Sequence, residues 1–185
     1  MSIRRDLTQA AVSTAGAIAI LAGGAVMAPA PAHAVSASAS GRTCMFNAPT
    51  AVPKAGHVAW AVKVRGAKDH WIWGSFNWNE AWIRGGAWKD VRKSFRPAAG
   101  YTRYRCTNTR DGNAGNAQVA YKAVKKRGYD LLGNNCLHMS MAVFKGYSNT
   151  LRRDSRLPSA TGKRPNDYFS TLLSNAHWER IHKLP

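Results

Sequence analysis

Of the side chains in this 185-residue chain, three cysteines and six histidines have the most chemistry to offer. Cys136 stands apart from the other two cysteines. Gly133-Asn134-Asn135 precedes it, and Leu137 to Phe144 reads as a helix closed by Gly146. Asn134 or Asn135 can cap that helix, which leaves Cys136 in its first turn. There the free N–H groups and the positive end of the helix dipole favour thiolate over thiol. A lone cysteine is more commonly a small buried hydrophobe, so nucleophilic chemistry requires a second group, a base that takes the thiol proton and returns it to the leaving group.

His57 supplies that candidate. In Gly56-His57-Val58-Ala59-Trp60-Ala61-Val62-Lys63-Val64 the large apolar side chains at 58, 60, 62 and 64 alternate with small ones, the pattern of a strand with one heavy face. His57, Ala59 and Ala61 share the other face, where small neighbours leave room beside the imidazole. Residues 65–69 form a turn, and His70 to Trp78 reads as the returning strand of a hairpin.

A His at the start of a strand, a second polar residue on the next strand, and Asn134-Asn135-Cys136-Leu137-His138 opening a helix resemble the circularly permuted papain-like fold of the NlpC-type hydrolases and the lecithin:retinol acyltransferase relatives. The resemblance spans about 80 residues. It implies Cys136 as nucleophile, His57 as base, and backbone donors for an oxyanion at the helix N-terminus around Asn135 and Cys136. It also implies an α+β fold, a small antiparallel sheet packed against helices, with the His strand before the Cys helix.

Two residues compete for the third place. The acyltransferase relatives carry a second His after the first hairpin turn, which points to His70. Hairpin geometry points to Asn77: with residues 66–68 as the turn, paired positions sum to 134, so His57 faces Asn77 while His70 stays near the turn. Asn77 would then orient the imidazole as in a Cys-His-Asn arrangement. His138 invites a metal ligand set with Cys136, but two residues along a helix is about 200° of rotation, so the two side chains diverge. No metal and no cofactor is expected, and His138 reads as a packed or hydrogen-bonded neighbour.

The elements that must position these groups lie in a single domain, residues 44–185. Before it, Arg4 and Arg5 precede an apolar run from Ala10 to Met27, and Ala32-His33-Ala34 places small residues where a signal peptidase cuts. Residues 1–34 read as a secretory signal peptide and 35–43 as a flexible Ser/Ala linker. Cys44 and Cys106 have the look of structural positions, and a disulfide between them is the expected pairing in an exported chain, leaving Cys136 free. Asn116 to Arg127 reads as a helix ending at Gly128 with cations near its C-terminus, and Pro165 to Leu173 as a second short helix. Trp71, Trp73, Trp78, Trp82 and Trp88 lie close to Arg84 and Lys89, a mixture suited to core packing first and to stacking on sugars second.

The formal charge is +18, from 27 basic and 9 acidic residues. Cleavage after Ala34 removes Arg4, Arg5 and Asp6 and leaves 151 residues with 25 basic and 8 acidic, a net +17, so the charge belongs to the mature chain. Export turns the expectation away from nucleic acid and towards anionic cell-wall polymers, wall peptides or anionic lipid heads. The sequence thus points to a secreted, monomeric, wall-associated cysteine hydrolase acting on an amide or acyl bond. The alternative is a non-enzymatic cationic protein that binds anionic wall polymers or glycans.

Overall fold

Antiparallel pairing dominates the architecture. The computed structural model describes residues 40–185; the expected signal peptide and most of the expected linker lie outside the described residues. Strands β1 (Gly41–Ala48), β2 (His57–Lys63), β3 (Trp71–Phe76), β4 (Ala81–Gly86), β5 (Arg103–Thr109) and β6 (His182–Lys183) form one sheet in the order β4-β3-β2-β1-β5-β6. Every neighbouring pair is antiparallel. The helices are α1 (Trp88–Ser94), α2 (Ala114–Lys126), α3 (Cys136–Tyr147), α4 (Asn149–Arg153) and α5 (Pro165–Asp167). The chain is therefore α+β, a six-stranded antiparallel sheet with helices. Gly41, Arg42 and Thr43, read from the sequence as the end of the linker, are already the start of β1.

Two apolar layers follow from the two-residue period of the strands. Val58, Trp60 and Val62 of β2, Ile72 and Phe76 of β3 and Met45 of β1 pack with α2 and α3 on one face. Ala59 and Ala61, Trp71 and Trp73, and Cys44, Phe46 and Ala48 make the other, under α1. Because α3 lies across the sheet with α2 beside it, it is apolar nearly all round: Leu137, Met139, Val143 and Phe144 are fully buried. On the opposite face Phe46 is enclosed by Phe95, Trp88 and Tyr104. Burying such a ring stabilises the fold by about 2–3 kcal/mol.

The β2–β3 register has the expected sum, with Ala61 opposite Trp73 and Trp60 opposite Gly74. Gly146 does not close α3, which runs through it to Tyr147 and is capped by Ser148. A Cβ at Gly146 would meet the Ala120 Cβ at 2.8 Å and the Asn116 carbonyl oxygen at 2.9 Å, so this glycine sets how closely α2 and α3 approach. Helix α2 starts two residues earlier than its apolar pattern suggests, because Asn113 accepts the Asn116 N–H as its cap. Cys44 and Cys106 sit opposite each other on β1 and β5 and are joined by a disulfide, S–S 2.04 Å. Cys136 is the free cysteine among the described residues.

Candidate active site

Asn135 and Cys136 occupy the first positions of α3 because the preceding loop folds back on itself. The Asp130 carboxylate accepts the N–H groups of Leu132 and Gly133, and Asp130 and Asn134 exchange backbone hydrogen bonds. Asn135 is the N-cap: its Oδ1 accepts Leu137 N–H at 2.9 Å and His138 N–H at 3.3 Å. The same oxygen accepts from His138 Nδ1 at 3.0 Å, and Asn135 Nδ2 donates to the Leu131 carbonyl at 2.7 Å. The Asn135 side-chain oxygen is thus committed to holding the helix start. His138 is half-buried and points away from the thiol to this cap. Among the described residues no three His, Cys, Asp or Glu side chains come together as a metal site.

Cys136 is 3% exposed, and the backbone amides of Val58, Leu137 and Cys136 itself act on its sulfur. These donors favour the thiolate, yet burial outweighs them and pushes the thiol up to about 11. The expected thiolate is therefore corrected to a thiol at neutral pH: the helix start is there, but it lies under the sheet, where a naked charge is costly.

His57 opens β2 and is placed by a polar network that sequence patterning does not reveal. Asn47, fully buried on β1, donates through Nδ2 to the His57 carbonyl at 3.1 Å and to Asn166 Oδ1 at 2.9 Å. Asn166 in turn donates to the Pro49 carbonyl, and its own N–H goes to the Ala55 carbonyl. Gly56, at φ +69°, lets the chain enter β2 directly over Asn166; a Cβ there would meet Asn166 Oδ1.

The imidazole makes one hydrogen bond among the described residues, from Nε2 to Ser75 Oγ at 2.8 Å. Ser75 Oγ lies 3.1 Å from the Tyr101 hydroxyl, so the three form a buried chain. Burial depresses His57 to about 4, so the ring is neutral at pH 7. Burial likewise raises the Tyr101 hydroxyl well above the usual phenol range, and the neighbouring Cys136 sulfur adds to the shift. In the tautomer whose Nε2–H donates to Ser75, Nδ1 carries the lone pair that can accept a proton.

Neither expected third residue meets this ring. Asn77 lines the same cleft, but it is exposed and its Oδ1 accepts the N–H groups of Asn79 and Glu80 in the β3–β4 turn. His70 is exposed at the far end of the hairpin, five residues or about 16 Å along the strand from Ser75. The hairpin sum of 134 holds from Lys63 opposite Trp71 to Trp60 opposite Gly74, and the ladder ends before it reaches His57 and Asn77. The side chain on the imidazole's face is two residues earlier, at Ser75.

By alternation His57 and Ser75 lie on the α1 face and Cys136 comes from the α3 layer. The two layers meet because the β2–β3 ladder stops at Trp60 and Gly74. Beyond that rung the Val58 amide is close enough to the Cys136 sulfur to favour its thiolate. The thiol is thus within the influence of the amide that immediately follows His57. A cleft of about 350 Å³, lined by His57, Ser75, Tyr101, Asn77, Trp82 and Val52 among others, opens beside the ring.

Comparison of the chain with protein-family models, with curated proteins and with solved structures finds no match.

Proposed function

We propose that this chain is a secreted cysteine hydrolase or acyltransferase of permuted papain-like arrangement, acting on an amide or other acyl bond. What supports this is a Cys136 thiol that feels the Val58 amide, one residue from an imidazole whose Nε2 lies 2.8 Å from Ser75 Oγ. In the proposed reaction the Cys136 sulfur attacks the carbonyl carbon as its proton passes to His57 Nδ1. The carbonyl oxygen takes the charge, and the N-terminal amides of α3 are the donors for it. Collapse expels the leaving group, which takes the proton from His57, and leaves an acyl-enzyme that water or another acceptor resolves. Since thiol and imidazole are both neutral at rest, proton transfer accompanies attack rather than preceding it, and Ser75 with Tyr101 holds the imidazole by Nε2.

The substrate class that fits the charge is a cell-wall peptide or another acyl compound held at an anionic surface. The expected destination is outside the cell, as a monomer that lodges on wall polymers. Incubating the full chain with N-acyl peptides and with an activated ester, and following release of the leaving group, tests the reading. Turnover should vanish in Cys136→Ala. A second reading has its own support, since a thiol at about 11 and 3% exposed suits an inert core cysteine in a cationic polymer-binding protein. In that case polyanion binding persists in Cys136→Ala and neither substrate turns over.

A further inference from the structure

Large apolar side chains exposed together are the exception on a soluble domain. Trp78 is 73% exposed, Leu131 58% and Leu132 86%. They come from two loops, the β3–β4 turn and the loop before α3, and Tyr129 joins them: its ring lies 5.7 Å from that of Trp78 and 5.1 Å from that of Phe76. Tyr129 is also close enough to the Cys136 sulfur to have its hydroxyl raised by it, in addition to burial. The patch therefore sits at the mouth of α3. It is tied to the candidate site directly, because the Leu131 carbonyl accepts from the Asn135 cap.

Charge is distributed to match. Lys122, Lys125, Lys126 and Arg127 are all exposed on the last turns of α2, within a few residues of Leu131. The two carboxylates of these loops are Glu80 and Asp130, and the Asp130 carboxylate is occupied by two backbone N–H groups. Trp and Tyr beside protruding leucines, flanked by a majority of cations, is the composition of a surface that enters the headgroup region of an anionic bilayer.

We propose that the tip formed by Trp78, Leu131 and Leu132 inserts into the surface of a bilayer carrying anionic lipid heads, with Lys125, Lys126 and Arg127 lying against those heads. The docking would turn the mouth of α3 towards the membrane. It does not depend on the thiol chemistry proposed above, and the test separates the two. Among the described residues no helix is long and apolar enough to cross a membrane.

The experiment uses the full chain carrying Cys136→Ser, with an environment-sensitive NBD fluorophore on Leu132→Cys, or on Lys93→Cys of α1 as the control. Both positions are exposed, and circular dichroism checks that the fold is kept. With vesicles of phosphatidylcholine and phosphatidylglycerol, emission at position 132 is expected to shift to the blue and rise severalfold, with no change at 93. Adding Lys125→Glu and Lys126→Glu should weaken the response about tenfold. No change at 132, an equal change at 93, an equal response to phosphatidylcholine alone, or an equal response to soluble polyphosphate overturns the proposal. In the otherwise unaltered chain, Trp78→Ser should lower vesicle binding and leave the rate of Cys136 alkylation unchanged; a slowed alkylation would mean that Trp78 supports the site rather than a membrane contact.

Discussion

His57 Nε2 lies 2.8 Å from Ser75 Oγ, two residues before Asn77, the position that the hairpin sum pairs with His57. That single contact occupies Nε2 and orients the ring. Ser75→Ala should leave the buried Nε2 without a partner, at a cost of about 1–3 kcal/mol. It should also slow acylation of Cys136 by about 10- to 100-fold through loss of ring orientation. Urea denaturation and stopped-flow acylation measure the two effects. A variant that acylates at the wild-type rate would remove Ser75 from the site.

Asn77 and His70 are the counter-experiment. Asn77→Ala removes a turn acceptor and His70→Ala an exposed side chain, so neither should change the acylation rate more than about twofold. A loss in His70→Ala as large as in Ser75→Ala would show that the imidazole uses a different partner in the working state.

The pH dependence of stability has a defined window. His57 is held down at about 4, against 6.5 when unfolded, so between these values the unfolded chain binds the extra proton. Stability from this group is fully present above pH 6.5 and falls by about 3 kcal/mol as the pH drops through 4. Asp111 titrates lower, held at about 2 by hydrogen bonds from Ser148, Thr150 and Asn149, and does not share the window. Urea midpoints at pH 7 and pH 4.5 should differ markedly in the wild type and much less in His57→Gln. Equal differences in the two proteins would contradict the burial of a neutral imidazole.

Gly56 is expected to tolerate no side chain. Gly56→Ala meets Asn166 Oδ1 and takes on a left-handed φ of +69°, so a loss of about 2 kcal/mol or more is predicted, with His57 displaced. Thermal unfolding checks the first effect and the acylation rate the second. Asn166→Ala relieves the clash but orphans buried partners, so the double variant should not recover wild-type stability.

How far the sequence reaches can be seen residue by residue. The alternation around Trp60 revealed β2, and the register sum around residue 67 placed Gly74 opposite Trp60, because both depend on local period and turn length. The helix start at Cys136 was legible from Asn135 for the same reason. Ser75 and Tyr101 were not, since a hydroxyl in a strand and a tyrosine after a turn carry no spacing signal, and their union with His57 is made only by the sheet. The expected thiolate failed for a related reason: the helix N-terminus can be read along the chain, but the burial that overrides it is a property of the assembled layers. β1 and β4 also escaped notice. β1 is buried on both faces apart from Arg42 and shows no polar alternation, and β4 carries two glycines at its end.

The disulfide between Cys44 and Cys106 closes a loop of 62 residues and should stabilise the fold by about 4 kcal/mol on the chain-entropy argument. Because both cysteines are fully buried, reduction should be slow in the native state and lower the urea midpoint once complete. A midpoint unchanged after full reduction would show that the packing of β1 against β5 suffices without the bond.

The central claim is that Cys136 is acylated with help from His57. Intact-mass measurement of the chain after brief exposure to an activated ester at pH 7 tests it most directly, with peptide mapping to locate the adduct. The account predicts one acyl group on Cys136, none in Cys136→Ala, and at least 100-fold slower formation in His57→Gln. An adduct on Cys136 that forms as fast in His57→Gln as in the wild type, or no adduct on Cys136 at all, contradicts it.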